Sequence, residues 1–406
     1  MGQTSGFLRR NAPFLAAGAL LTFLSSFGQT FFISVFGGEI RAETGLSNGS
    51  WGLVYMAATL ASAATMLWVG PLADRIRVRR LGVLVALGVA LGCAAMASGR
   101  SVPVLVGTIF LLRLAGQGMA MHLSAVAMAR WFTANRGRAL AVAAFGVMGG
   151  EAVLPLAMAW GKAQIDWRWL WWGAAALCLL SAPLLTRLLR LERHPTDLAE
   201  ETAAPGMGGI HWTRGEALAD PIFWMMAPAV MSFAGFATAF WFHQAHFAAV
   251  KGWDHLSLVA VFPLGTLALI LSTVAYGKLV DRFGALRLLP IYLLPLVLAF
   301  LLHWGAEAIW GAGIAVVLMG LAGGGQAVLL NACWAELYGT RHLGAIKSAV
   351  WALMVVGSAL GPGITGALID AGVGFERQLL SFAAFFAVAA LLLFRVRAKA
   401  SQRLRR

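Results

Sequence analysis

The chain has 406 residues, of which 60% are hydrophobic and 12% charged. A soluble globule of that make-up would have no polar surface to offer water, so the composition excludes one and makes the bilayer the natural solvent. The formal charge of +14 at pH 7 raises nucleic acid as a partner, but no basic soluble domain remains outside the apolar spans to carry it, so no nucleic-acid role is expected.

In chain order, Arg9 and Arg10 precede an apolar run from Pro13 to Phe36. That run is too long for a signal peptide and has no convincing small-residue cleavage site, so it predicts a retained first helix. Twelve spans of roughly membrane-crossing length are expected. They lie near 13–37, 51–71, 82–100, 104–131, 139–161 and 169–190, then 222–247, 256–276, 287–304, 307–335, 344–369 and 377–394. The fold class is therefore all-α and integral to the membrane, with two pseudo-symmetric bundles of six helices. The stretch from Glu192 to Asp220 is the one long polar insertion, with Pro195, Pro205 and the run Gly206-Met207-Gly208-Gly209. It divides the chain into an N-terminal bundle (1–191), a cytoplasmic linker (192–220) and a C-terminal bundle with a basic tail (221–406). The tail, 395–406, is expected along the inner leaflet.

With the N-terminus inside, Arg41, Arg100, Lys162, Arg168, Lys251 and Arg377 fall in outer loops and Arg113 within a span; the remaining Lys and Arg occupy inner loops and tails. That bias predicts both termini in the cytoplasm, and it assigns the basicity to orientation and contact with anionic lipid. Cys93, Cys178 and Cys333 lie in separate spans without metal-ligand spacing, which predicts small packing residues and no metal. Gly146-x-x-x-Gly150 and Gly357-x-x-x-Gly361 predict close helix contacts, and Gly361-Pro362-Gly363 a kink. Trp167, Trp169, Trp171 and Trp172 read as an interfacial belt.

The chain repeats itself at an offset of 207 residues. Gly70-Pro71-Leu72-Ala73-Asp74-Arg75 returns as Gly277-Lys278-Leu279-Val280-Asp281-Arg282, Leu114-Ala115-Gly116 as Leu321-Ala322-Gly323, Gly150 as Gly357 and Pro155 as Pro362. Two such halves in an apolar chain predict a secondary transporter whose substrate path lies on the axis between them.

Gly70-x-Leu72-Ala73-Asp74-Arg75-x-x-x-Arg79-Arg80, between the second and third spans, resembles the signature loop of the major facilitator superfamily, and the copy from Gly277 through Asp281 and Arg282 to Arg287 falls between spans eight and nine. The first copy lacks its usual glycine at Ile76-Arg77-Val78; Gly284 supplies it in the second. The resemblance implies twelve helices and alternating access. An Asp at a helix end beside clustered Arg residues would form a conformational latch holding the halves in one state. Arg113-x-x-Gly116-Gln117-Gly118 resembles the family's fourth-helix motif, shifted by one residue. The segment from Arg136 to Ala141, with Gly150 and Pro155, is similar to the monocarboxylate and oxalate–formate branch, although that branch's acidic signature on the first helix is absent. Glu151 follows Gly150 where drug antiporters carry a Gly-Pro pair in helix five, which weighs against drug efflux without excluding it.

Arg113 lies about 15 Å along span four from Pro103 and Glu151 about 20 Å along span five from Arg138, at 1.5 Å per residue, so both fall near mid-membrane. A charge there costs on the order of 3 kcal/mol, which makes each a functional candidate. Adjacent antiparallel spans suggest that they pair. Their equivalents at the repeat offset are Gly320 and Ser358, so the repeat alone does not require them. Arg113 would bind a substrate anion or gate a proton, with Glu151 as titrating partner; a static salt bridge is the structural alternative. Gln29, Gln117, His122, Gln326 and Asn331 are further candidates for a cavity wall or for interhelical hydrogen bonds. Trp241, His243 and Gln244, with His246, crowd the outer end of span seven, as an outer gate or substrate contact.

Enzymatic chemistry is not expected, for there is no His-Glu-x-x-His pattern. The absence of a phosphate-binding Gly-x-x-x-x-Gly-Lys-Ser/Thr loop disfavours ATP-driven pumping by this chain, and no cofactor is implied. The reading is a monomeric, multi-pass inner-membrane protein whose partners are a small-molecule substrate, protons or another coupling ion, and lipid. It would carry out proton-coupled symport of an organic anion resembling a monocarboxylate, with proton-driven efflux of an amphipathic compound as the alternative.

Overall fold

The computed structural model describes residues 2–132, 136–190 and 205–404, and every regular element among them is helical. Two compact units, Met1–Ala199 and Glu200–Arg406, divide the chain. In the first, the long helices are α1 (Gly2–Ser25), α2 (Asn48–Val69), α3 (Val78–Ser98), α4 (Val102–Trp131), α5 (Arg136–Gly161) and α6 (Trp167–Leu188). In the second they are α7 (Pro221–Phe242), α8 (Phe262–Phe283), α9 (Leu294–Gly305), α10 (Ile309–Tyr338), α11 (Leu343–Asp370) and α12 (Phe375–Leu404). Eleven apolar helices among the described residues are long enough to cross a bilayer, and α9 is a shorter twelfth.

The two units repeat one packing scheme. In the first, α1 packs on α5, α2 on α4 and α3 on α6; in the second, α7 packs on α11, α8 on α10 and α9 on α12. Lipid tails are as apolar as leucine, so helices in a membrane hold together by close packing rather than by escape from water. The glycine spacings supply that packing: a Cβ on Gly361 would run into the Gly235 carbonyl, and one on Gly146 into the Ala19 carbonyl. Large side chains such as Leu67, Trp68, Leu180 and Trp310 stand exposed, as a lipid-facing surface requires.

Several boundaries differ from those expected from the sequence. The first span is not one helix, for α1 stops at Ser25 and helical turns resume at Thr30–Ile33 and Gly37–Thr44. The seventh stops at Phe242 before a separate short helix, Gln244–Val250. The ninth begins only at Leu294, behind turns that contain Pro290, a residue without an N–H to continue a helix. The predicted tail is instead the last turns of α12, which run to Leu404; Arg405 and Arg406 lie outside the described residues.

The linker from Pro205 onward is folded onto the second unit, while residues 192–204 lie outside the described residues. Trp212 donates its backbone N–H to the Tyr338 carbonyl, and a capping box of Thr213 and Glu216 starts the short helix Arg214–Ala219. The Thr213 N–H and hydroxyl hold the exposed Glu216 carboxyl below its usual range. Buried Asp220 caps α7 through the Ile222 N–H and accepts from Tyr338 Oη at 3.3 Å and Arg403 Nη1 at 2.8 Å.

Candidate functional site

Thr22, Ser25, Ser26, Thr30 and Ser34, in and beside the break after α1, are buried. Ser25 Oγ bonds back to the Thr22 carbonyl at 2.6 Å, offering the backbone a local partner in place of the next helical turn. Ser26–Gly28 then forms a tight turn and Gln29 is extended, at φ −84° and ψ 153°. Irregular backbone at membrane depth survives only where protein groups satisfy it. The Arg113 side chain supplies one such group, with Nη1 donating to the Gly28 carbonyl at 3.1 Å.

On the facing side α4 widens into π-helical turns over Leu112–Ala120, a distortion that recurs at functional sites. It brings Gly116 against Gly28 backbone to backbone. A Cβ on Gly116 would lie 2.9 Å from Gly28 Cα and N, so neither position accepts a side chain without movement.

Arg113 is 1% exposed. Its guanidinium carbon stands 5.1 Å from the centroid of the buried Tyr55 ring, a cation–π contact. The Tyr55 hydroxyl is hydrogen-bonded to Thr30 Oγ1. Among the described residues, Arg113 Nε and Nη2 have no hydrogen-bond partner, nor do the buried hydroxyls of Ser26 and Thr59. A guanidinium out of water with two bare donors is costly unless a ligand or water meets them.

Glu151 is half-buried and, among the described residues, joins no ion pair. The expected pairing with Arg113 is not made. Gly150 of α5 abuts Ser26, and Arg113 of α4 reaches Gly28. Gln29 is half-buried in the break itself, and Gln117 is half-buried on the π-helical stretch. His122 lies further along α4, with its ring beside Gly70.

The remaining candidates are in the second unit and do not form one site. Gln326 Oε1 accepts from Tyr292 Oη at 2.8 Å, and Asn331 is exposed and donates to the Ala327 carbonyl of its own helix. Trp241 meets Phe262 edge-on at 4.5 Å. His243 is buried with Nε2 3.1 Å from the Pro362 carbonyl, and Gln244 is buried.

In the signature loop, Asp74 pairs with Arg130 at the end of α4, and Arg130 also donates to the Ala73 carbonyl at 2.9 Å. Gly70 is buried and Arg75, Arg79 and Arg80 are exposed. The second copy is built differently, because Gly277, Asp281 and Arg282 continue α8, which ends at Gly284 with φ +78°. There the Glu336 carboxylate accepts from the Ala285 and Leu286 N–H groups at 3.0 and 3.3 Å.

Sequence reasoning missed Ser26, Thr30 and Tyr55. The repeat held a signal for them: 207 residues on stand Phe233, Ala237 and Phe262, as Phe236 stands for Gln29 and Gly320 for Arg113. Ser26, Gln29, Thr30, Tyr55 and Arg113 thus have no polar counterpart in the second unit, whereas Ser25 and Thr59 return as the buried Ser232 and Thr266.

The sequence matches the Major Facilitator Superfamily over residues 18–362 and 266–406. No curated protein sequence matches it. Among solved structures, it resembles a bacterial homologue of the human lysosomal transporter Spinster in its inward-facing, unoccupied conformation, with a TM-score of 0.73 and 16% identity over 97% of this chain and 98% of that one. The nucleoside transporter NupG is also similar, with a TM-score of 0.67 and 14% identity over 94% of this chain and 98% of that one. A sequence match that spans both halves, together with twelve apolar helices paired alike in two units, leads to one conclusion: this chain belongs to the Major Facilitator Superfamily and is a multi-pass membrane transporter rather than an enzyme.

Proposed function

We propose that the protein is a secondary active transporter that moves a small organic anion, of monocarboxylate type, by alternating access and in symport with protons. The observation that carries this reading is the buried Arg113 guanidinium with bare Nε and Nη2 donors beside the broken first span. Those two donors lie along one edge of the guanidinium fork, the edge that a carboxylate takes with two parallel hydrogen bonds. An anion there would bring the counter-charge that the buried cation lacks among its described neighbours.

Glu151 supports the coupling half of the proposal. It is an acid within an apolar span with no ion-pair partner among the described residues, and a charge there is costly enough to point to a function. Proton uptake at Glu151 would balance the charge of an anion arriving at Arg113. The signature loops would act as the latch, and the Arg130–Asp74 pair fixes the first loop to α4, the helix that carries Arg113.

The test is thermal stability of the purified protein against small carboxylates, amines, sugars, nucleosides and vitamins at two pH values, since a ligand of the folded state raises the melting point by mass action. Stabilisation by carboxylates that disappears in Arg113→Ala supports the anion. Stabilisation by cationic amphipathic compounds alone, with accumulation of them in everted vesicles, would replace uptake with efflux.

A further inference from the structure

Arg113 is tied to both sides of the break in the first span. Nη1 bonds to Gly28, which belongs to the turn before extended Gln29. The face of the guanidinium rests on the Tyr55 ring, whose hydroxyl is bonded to Thr30, the first residue of the helical turn after Gln29. The piece beginning at Thr30 is anchored at its far end: Lys162 Nζ binds Glu39 and the Val35 carbonyl, both at 2.8 Å, and Arg168 pairs with Glu43. Relative movement of the two pieces of the span therefore cannot leave both ties to Arg113 in place.

We infer that Tyr55 is a positioning residue for Arg113: its ring sets the plane of the guanidinium, and its hydroxyl, through Thr30, makes the presentation of Nε and Nη2 depend on the arrangement of the broken first span. The repeat separates the two roles of this side chain. At the equivalent place in the second unit stands Phe262, 3% exposed, so the scaffold needs an aromatic ring there. It does not need the hydroxyl, for Thr30 has become Ala237 and Arg113 Gly320. The hydroxyl and its partner occur where the cation occurs. With the Tyr55–Thr30 bond intact, the fork keeps two donors aligned for one carboxylate. With it broken, the ring is free to turn and the guanidinium plane turns with it, so that the two donors no longer face the same place. Anion affinity would follow the state of the span, as a carrier that binds in one state and releases in another requires.

This inference rests on the reading of Arg113 as the anion ligand, and the test separates the two. The full-length protein in detergent is treated with phenylglyoxal, and modification of Arg113 is followed by peptide mass spectrometry in wild type, Tyr55→Phe, Thr30→Val, the double variant and Thr59→Val. Thr59 is the control, because it is a buried hydroxyl one turn along α2 with no hydrogen-bond partner among the described residues to lose. The expected result is several-fold faster modification in Tyr55→Phe and in Thr30→Val, no further change in the double variant and no change in Thr59→Val. Lactate should slow the modification in wild type, with the half-protecting concentration rising several-fold in Tyr55→Phe. Equal modification in all five proteins, including none in any, overturns the inference, as does an effect in Thr59→Val equal to that in Tyr55→Phe. Should Tyr55→Phe fail to fold, Thr30→Val breaks the same hydrogen bond from its other end, and its modification rate decides the inference in the same way. Faster modification in the two variants with no protection by lactate, acetate or oxalate in any protein would keep the positioning role and sink the anion.

Discussion

Arg113 shows how one side chain can serve backbone and ligand together. One nitrogen closes an open carbonyl in the break and two remain bare. Arg113→Lys keeps the charge but loses the planar fork, so carboxylate-dependent stabilisation should vanish in the melting assay even where the protein still folds. Glu151→Gln should abolish the pH dependence of uptake; unchanged transport with an unchanged pH profile would remove Glu151 from the mechanism. Gly116→Ala pushes a methyl group into Gly28 and should cost about 1–3 kcal/mol in thermal unfolding. Gly107→Ala, on the same helix but with open space around an added Cβ, should cost nothing measurable. Each of these residues is legible in the sequence by type, but its bonding is not. Nothing in the order of amino acids says that Arg113 would choose the Gly28 carbonyl over Glu151.

At the scale of elements, the two copies of the signature loop have diverged in their supports. The first is held by an Arg130–Asp74 pair at the surface, the second by Glu336 at two backbone N–H groups. A half-exposed ion pair contributes about 0–1 kcal/mol, so Arg130→Ala should leave the melting point nearly unchanged. If the loop is a latch, the same variant should slow transport; a normal rate would deny the loop that part. The knot at Asp220 is of another kind, because its carboxylate is 4% exposed and satisfies an N–H, a phenol and a guanidinium at once. Asp220→Ala should cost about 2 kcal/mol in thermal unfolding, since it strands buried donors and removes a helix cap together. Arg403→Ala should cost less, because the Asp220 carboxylate keeps the Ile222 N–H and the Tyr338 hydroxyl when the guanidinium is removed.

At the scale of the whole molecule, the repeat is both scaffold and contrast. Equivalent helices pair alike in the two units, yet Arg113 and the Tyr55–Thr30 pair that meets it occur in the first alone. A shared fold does not fix what is carried, and the superfamily membership leaves the substrate to the residues in which the halves differ. The distribution of Lys and Arg leads us to propose that both termini lie in the cytoplasm of a bacterial-type inner membrane. Alkaline phosphatase fused at either end should then be inactive and a fluorescent protein at the same ends bright; active phosphatase at both ends would reverse the orientation.

The sequence by itself determined the class of the fold, its twelve apolar spans and its division into repeated halves. Those properties are local or periodic: span length answers to bilayer thickness, and the repeat is visible residue against residue. Glycine spacing likewise announced close helix contacts, because small side chains allow them whatever the partner. Only the tertiary structure decided that the first span breaks at Ser26–Gln29, that α4 widens opposite it, and that Tyr55 and Thr30 join Arg113 there. These depend on whether a buried polar atom finds a partner, and that partner stands 85 residues away for Arg113 and 25 for Thr30. Hydropathy reads such atoms as cost; where the cost is met, and where it is left for a ligand, is set by packing in three dimensions.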